Sequence, residues 1–143
     1  MKIIADELNL PVINLLDLEN YNHFTVGPAE FIWLFAHASL IFTNSFHGVA
    51  FSILFRRPFI NRVFKDDKHG LSLAHRLLNV LGIFGLENRR TFDDKTFTAQ
   101  EAMAIDFSRR DEVLPRERAK AFKFLSEALG VDLVEKFFGG DAQ

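Results

Sequence analysis

LIFTNSFHGVAFSILF, residues 40–55, is the stretch on which the fold turns. Leu40–Thr43 is a short apolar run with β-branched character, Asn44-Ser45 supplies helix-cap chemistry, and Val49–Phe55 continues with helical periodicity. It reads as a strand–turn–helix unit. Downstream, Arg56-Arg57 puts positive charge near the negative end of that helix, and Pro58–Val63 returns to strand character. Upstream, Pro28 suits the first turn of a helix in which Phe31, Ile32, Leu34, Phe35 and Ala38 make one apolar face, with Glu30 near the positive end and a stop near Ser39. Before it, Val12–Leu16 is an apolar run of strand length followed by a polar loop. The order β-α-β-α-β from Val12 to Val63 predicts an α/β fold, a parallel sheet with right-handed crossovers flanked by helices.

The flanks are read by the same rules. IIADELNLP has the form of the last turns of a helix that stops before Pro11, because proline disfavours helical geometry in the residue before it. A helix is expected over Leu71–Leu81, with Leu71, Ala74, Leu78 and Leu81 on one stripe and Gly82 as its stop. Asn88–Thr98 reads as polar loop. A last long helix is expected over Pro115–Leu129, with Ala121, Phe122, Leu125, Ala128 and Leu129 inward and Gly130 as its stop. One domain over residues 1–143 follows, entered in mid-fold and truncated at its N-terminus.

Composition narrows the function classes. Seventeen basic against 19 acidic residues leave a net charge of −2, so no global field draws the chain to nucleic acid. There is no cysteine, which removes thiol redox chemistry and thiolate metal sites. Asp6 and Glu7 interrupt any signal-peptide core, and 31–42 is too short to span a bilayer, so a cytoplasmic location without a transmembrane segment is expected. The 17 phenylalanines must fill a core or face another domain or subunit.

In open parallel sheets ligands bind outside the carboxyl ends of the strands, where a helix N-terminus presents unpaired amides and partial positive charge. His47 and Gly48 fall at such a place. Gly48, lacking a Cβ, would let a phosphate or carboxylate approach the backbone. Ser45 or Asn44 can cap the helix or bind the ligand, and His47 adds a donor or a proton near neutral pH. Each also has a plain structural reading: Asn-Ser before a helix is common capping, and a first-turn histidine is commonly a surface or packing residue. Ser45 and His47 alone supply no nucleophile elbow, so no hydrolase is indicated. Asp66, Asp67, Lys68, His69, Asp93 and Asp94 read as solvated turns rather than a metal site. His37 and His75 are expected to be structural, and Arg89-Arg90 and Arg109-Arg110 to be solvated or ion-paired.

The run GPAEFIWLFAHASLIFTNSFHGVAFSILFRRPFI, residues 27–60, resembles the pattern of the polysaccharide pyruvyl transferases. In that family a Pro-x-Glu-Phe helix leads to an apolar strand, then Thr-Asp/Asn-Ser-Phe-His-Gly, Phe-Ser-Ile-Leu-Phe and Lys/Arg-Pro-Phe. A weaker similarity continues at Leu77–Arg89. The resemblance implies transfer of a pyruvyl group from phosphoenolpyruvate to two hydroxyls of a sugar or lipid-linked oligosaccharide acceptor, with loss of phosphate and no cofactor. It further implies the C-terminal domain of a GT-B-like enzyme with two Rossmann-like domains facing a cleft. His47 matches the donor-site histidine, Ser45 and Gly48 match its neighbours, and Asn44 stands where many members have aspartate. Many members carry Ser-Arg where this sequence has Ser72-Leu73, so that basic donor contact is either lost or moved to Arg62, Arg76 or Lys68. A separate N-terminal half is then expected as partner, and the chain alone is expected to be inactive. A non-catalytic ligand- or partner-binding domain and the donor domain of a GT-B glycosyltransferase are the competing readings.

Overall fold

The computed structural model describes residues 2–63, 71–91 and 97–133, except for the side chains of residues 24 and 71–74. It falls into two compact units, residues 1–107 and 108–143. The first is α/β. Its described elements are α1 (Lys2–Glu7), α2 (Tyr21–Phe24), α3 (Pro28–His37), β1 (Ile41–Thr43), α4 (Phe46–Leu54), β2 (Phe59–Arg62), α5 (Leu71–Phe84), β3 (Arg90–Thr91) and α6 (Ala99–Met103). A short 3-10 turn, Glu87–Arg89, leads into β3.

The three strands form a parallel sheet in the order β1-β2-β3. Thr43 lies opposite Asn61, and Arg62 opposite Thr91. Side chains alternate between the faces of a strand, and β2 is buried on both. Ile60 packs with Ile4 of α1 and Ala102 of α6, joined by Leu8, Leu40, Phe42 and Phe97. Phe59 and Asn61 point to the opposite face, as do Ile41 and Thr43, and α4 packs there. Phe31 and Phe35 of α3 meet Phe51 of α4 with ring centroids 6.1 Å apart, and Phe51 stacks on Phe55 at 5.9 Å. Much of the phenylalanine excess in this unit therefore serves as interlayer packing.

Helix stops share one device. Asn9 and Arg56 both adopt left-handed backbone (φ 51° and 53°), as does Gly85 (φ 68°). In each case the next residue's amide reaches back six residues inclusive: Leu10 to Ala5, Arg57 to Ser52, and Leu86 to Leu81, at 2.8–2.9 Å. The first helix thus ends before Pro11 as expected, but Asn9 makes the stop.

Several expectations are corrected. Val12–Leu16 is not a strand: the Asn14 side chain accepts the Leu16 amide at 3.1 Å and that of Asp17 accepts the Glu19 amide at 3.2 Å, so local turn chemistry takes the backbone, and Leu16 is 84% exposed. In α3 Ile32 is exposed. Helix α5 runs through Gly82 to Phe84 and stops at Gly85, and its buried described side chains are Leu77, Leu81 and Phe84, while Leu78 is exposed. The expected positions Leu71 and Ala74 lie outside the described side chains. Residues 88–98 are not all loop, since Arg90–Thr91 adds a third strand to β2. Arg89 is buried rather than solvated. Its guanidinium donates to the carbonyls of Phe59 (2.8 Å), Glu101 (2.9 Å), Ala102 (2.7 Å) and Ala104 (3.2 Å) and sits 5.0 Å over the Phe97 ring. Burial lowers its pKa, while the negative charge of Glu101 pushes the other way.

The second unit contains α7 (Ser108–Leu129). The helix begins seven residues before Pro115, which was expected to open it; the proline sits inside, where its missing N–H leaves one helical bond unmade. Gly130 (φ 65°) ends it, with the Val131 amide donating to the Ser126 carbonyl at 3.2 Å. Ala121, Leu125, Ala128 and Leu129 are exposed rather than inward, and Phe122 is half-buried. Among the described residues no helix is long and apolar enough to cross a membrane.

Candidate functional site

The segment from Thr43 to Gly48 joins the carboxyl end of β1 to the first turn of α4. Ser45 is the N-cap in extended geometry (ψ 138°), but its hydroxyl makes no cap bond. Instead its own amide donates to Thr43 Oγ1 at 3.0 Å, which tightens the turn. The first intrahelical bond runs from the Val49 amide to the Ser45 carbonyl at 3.1 Å. The amides of Phe46, His47 and Gly48 therefore precede the helical ladder and concentrate partial positive charge at this end.

Asn44, Ser45 and His47 are exposed, and Gly48 is buried. The His47 ring stands edge-on to Phe46 at 5.9 Å, and the guanidinium of Arg76 lies 5.6 Å over the same Phe46 ring. Arg76 thus carries positive charge from α5 to the start of α4. Arg62 ends β2 at the same carboxyl edge of the sheet, is exposed, and is engaged in further interactions. Lys68 lies outside the described residues, as do Asp66, Asp67, His69, Asp93, Asp94 and the side chains of Ser72 and Leu73.

Gly48 has a definite neighbour. An added Cβ would collide with Thr43 Oγ1 and come within 2.9 Å of Thr43 Cβ. Glycine is required here for the helix to close onto the strand, whatever a ligand asks of it. The Gly48 carbonyl in turn accepts the buried Ser52 hydroxyl at 2.7 Å.

Sequence reading passed over one polar group. Asn61 is fully buried (0% exposed) beside Thr43 and donates through Nδ2 to the Thr43 carbonyl at 3.0 Å, while its Oδ1 has no hydrogen-bond partner among the described residues. Its signal in the sequence was a lone amide inside an apolar strand, Phe59-Ile60-Asn61, which alternation alone does not single out. Of the two histidines expected to be structural, His37 stacks on Trp33 and bonds its carbonyl at 2.7 Å, and His75 is exposed.

Residues 2–62 match the family model described as polysaccharide pyruvyl transferase. The match contains α1 through β2 and hence the whole Thr43–Gly48 turn and Asn61. The similarity noted at Leu77–Arg89 lies beyond it. No curated protein and no solved structure matches the chain.

Proposed function

We propose that this chain supplies the donor side of a polysaccharide pyruvyl transferase, as a Rossmann-like domain of a GT-B-like enzyme. It would bind phosphoenolpyruvate at the start of α4 and pass its pyruvyl group to a sugar of a surface polysaccharide precursor. One observation carries the reading: the Asn44–Gly48 motif stands at the carboxyl end of a parallel strand, on a helix N-terminus, inside the family-matched residues.

The chemistry suits the groups present. Phosphoenolpyruvate brings a phosphate and a carboxylate, which the first-turn amides, His47, Ser45, Asn44 and a cation from Arg62 or Arg76 can receive. In the reaction the methylene carbon takes up a proton and becomes a methyl group, and the central carbon accepts two sugar oxygens. Phosphate leaves with the electron pair of the broken C–O bond. Of the two protons shed by the sugar hydroxyls, one balances the new methyl group and the other leaves with phosphate. In this reading His47 serves as the acid or holds the phosphate.

Titration of phosphoenolpyruvate followed through the histidine ring signals by NMR tests the site. His47→Ala removes a hydrogen bond to a charged ligand worth about 1.5–3 kcal/mol, so affinity should fall by roughly tenfold or more. The melting temperature should stay put, because the ring is exposed. A mutant that melts several degrees lower with an unchanged ligand response would make His47 a packing residue and remove the proposal.

A further inference from the structure

The start of α4 carries positive charge from a second helix as well as from its own amides. In the parallel sheet α4 follows β1 and α5 follows β2, so both helices begin at the carboxyl edge. Arg76 stands in the second turn of α5, about 8 Å from its start, and helical side chains lean back toward the N-terminus. Its guanidinium is thereby sent to that edge. There it lies 5.6 Å over the ring of Phe46, the first residue of α4.

Phe46 is half-buried, while Arg76 and His47 are exposed. The His47 ring stands edge-on to the same phenylalanine at 5.9 Å. One side chain therefore seats both the guanidinium and the imidazole at the end of one helix. A guanidinium resting on a ring spends its face on that contact and keeps its in-plane N–H groups for a ligand. Arg62, the other described cation named for this edge, is engaged in further interactions.

The two sources of positive charge differ in shape. First-turn amides converge on a point and suit a phosphate. An arginine presents a planar fork, which matches the two oxygens of a carboxylate. We propose that Arg76, seated on Phe46, is the carboxylate-binding residue of this site, and that the pair of subsites selects ligands carrying a carboxylate close to a phosphate. Arg76 touches the ligand, and Phe46 is a positioning residue that acts through it. Phosphoenolpyruvate as the ligand rests on the transferase reading; the pairing of the two anion subsites rests on the side chains.

Three probes separate the subsites: phosphoenolpyruvate, phosphoglycolate, which has both anionic groups and no enol, and inorganic phosphate. Each is titrated into the full chain and followed through the histidine ring signals by NMR. The unsubstituted chain should bind the two carboxylate-bearing probes about tenfold more tightly than phosphate. Arg76→Gln should erase that margin and leave phosphate affinity within about twofold, with the melting temperature unmoved because the side chain is exposed. Phe46→Leu keeps apolar packing but removes the seat, so it should cut the margin by about threefold and spare phosphate. Lys2→Gln takes the same charge from α1, on the other face of the sheet, and should change none of the three affinities.

Equal losses for phosphate and for the carboxylate-bearing probes in Arg76→Gln would make the arginine a phosphate ligand and overturn the proposal. So would a margin that survives that substitution, or its absence from the unsubstituted chain. A margin untouched by Phe46→Leu would overturn the positioning role of the ring. Phosphoglycolate binding that depends on Arg76, with no phosphoenolpyruvate response, would defeat the transferase reading and leave the carboxylate subsite standing. Phosphoenolpyruvate binding that depends on His47 and ignores Arg76 would defeat the subsite alone.

Discussion

Two buried polar side chains, Arg89 in the turn before β3 and Asn61 on β2, make a contrast at the same small sheet. Arg89 reaches the backbone of β2 at Phe59 and spends its donors on four carbonyls, three of them at the C-terminal end of α6, where its charge also complements the helix dipole. Asn61, two residues further along β2, is no less buried, and one of its two polar atoms has no partner among the described residues. Evolution toward stability alone favours the first arrangement. The second occurs at the carboxyl edge, beside Thr43 and the turn that carries His47. Satisfaction at Arg89 and shortfall at Asn61 separate the part of the sheet that holds the unit together from the part that faces the proposed chemistry.

The largest test of this contrast is at Arg89. Arg89→Met keeps the volume and removes every donor, leaving the carbonyls of Phe59, Glu101, Ala102 and Ala104 to share the loss. The cost should be roughly 3–5 kcal/mol, a large part of the stability of a small domain. Urea unfolding monitored by circular dichroism would measure it. Arg89→Lys should recover little, since an ammonium cannot span four carbonyls from one point. A lysine variant as stable as wild type would show that charge alone matters and that the hydrogen-bonded fork does not.

The regions differ just as sharply in how readable they were. The stretch from Pro28 to Arg62 declared itself through local rules: proline at the first turn of α3, the apolar run of β1, a cap before α4, and a second apolar run in β2. The parallel pairing of β1 and β2 followed from the alternation. Val12–Leu16 misled because its composition suits a strand, while Asn14 and Asp17 offer the backbone nearer partners than any strand would. Residues 88–98 hid β3 and Arg89 because burial of a guanidinium depends on carbonyls thirty residues upstream and a dozen or so downstream, which no local pattern reveals. One cue was available. Thr98 and Glu101 form a capping box, with the Glu101 amide on Thr98 Oγ1 at 3.2 Å and the Thr98 amide on Glu101 Oε2 at 2.9 Å, and Thr-x-x-Glu is legible in the sequence as a helix start. At the site, the sequence located His47 and its neighbours but could not reveal that Gly48 is pressed against Thr43, a contact made only by the closure of helix onto strand.

That contact supports a second, intermediate prediction. Gly48→Ala should cost about 1–3 kcal/mol by overpacking against Thr43. Thr43→Ala in the same chain removes Oγ1 and Cγ2 and should return part of that loss, which a double-mutant cycle measured by thermal melts would show as coupling between the two positions. Simple additivity would mean that Thr43 does not explain the glycine. The close approach of an anion to the Gly48 backbone would then become the stronger account of why a glycine stands there.

The smallest effect on stability is expected at Asn61, and it is the one that completes the contrast. Asn61→Leu keeps a similar branched shape in a fully buried position, gives up the bond from Nδ2 to the Thr43 carbonyl, and removes an Oδ1 that has no partner among the described residues. A typical hydrogen bond contributes about 1 kcal/mol, and relief of an unpaired buried acceptor returns a comparable amount, so the two changes should nearly cancel. The unfolding midpoint should therefore move little, in opposition to the large loss at Arg89. Ligand response should behave differently. Nδ2 holds the last carbonyl of β1, directly before Asn44 and Ser45, so its removal loosens the turn that presents His47 even if the core is indifferent. Weaker phosphoenolpyruvate binding with unchanged unfolding would place Asn61 with the site. A loss of stability approaching that at Arg89 would instead mean that Oδ1 is satisfied in solution, and the division of the sheet into a holding part and a working part would fail.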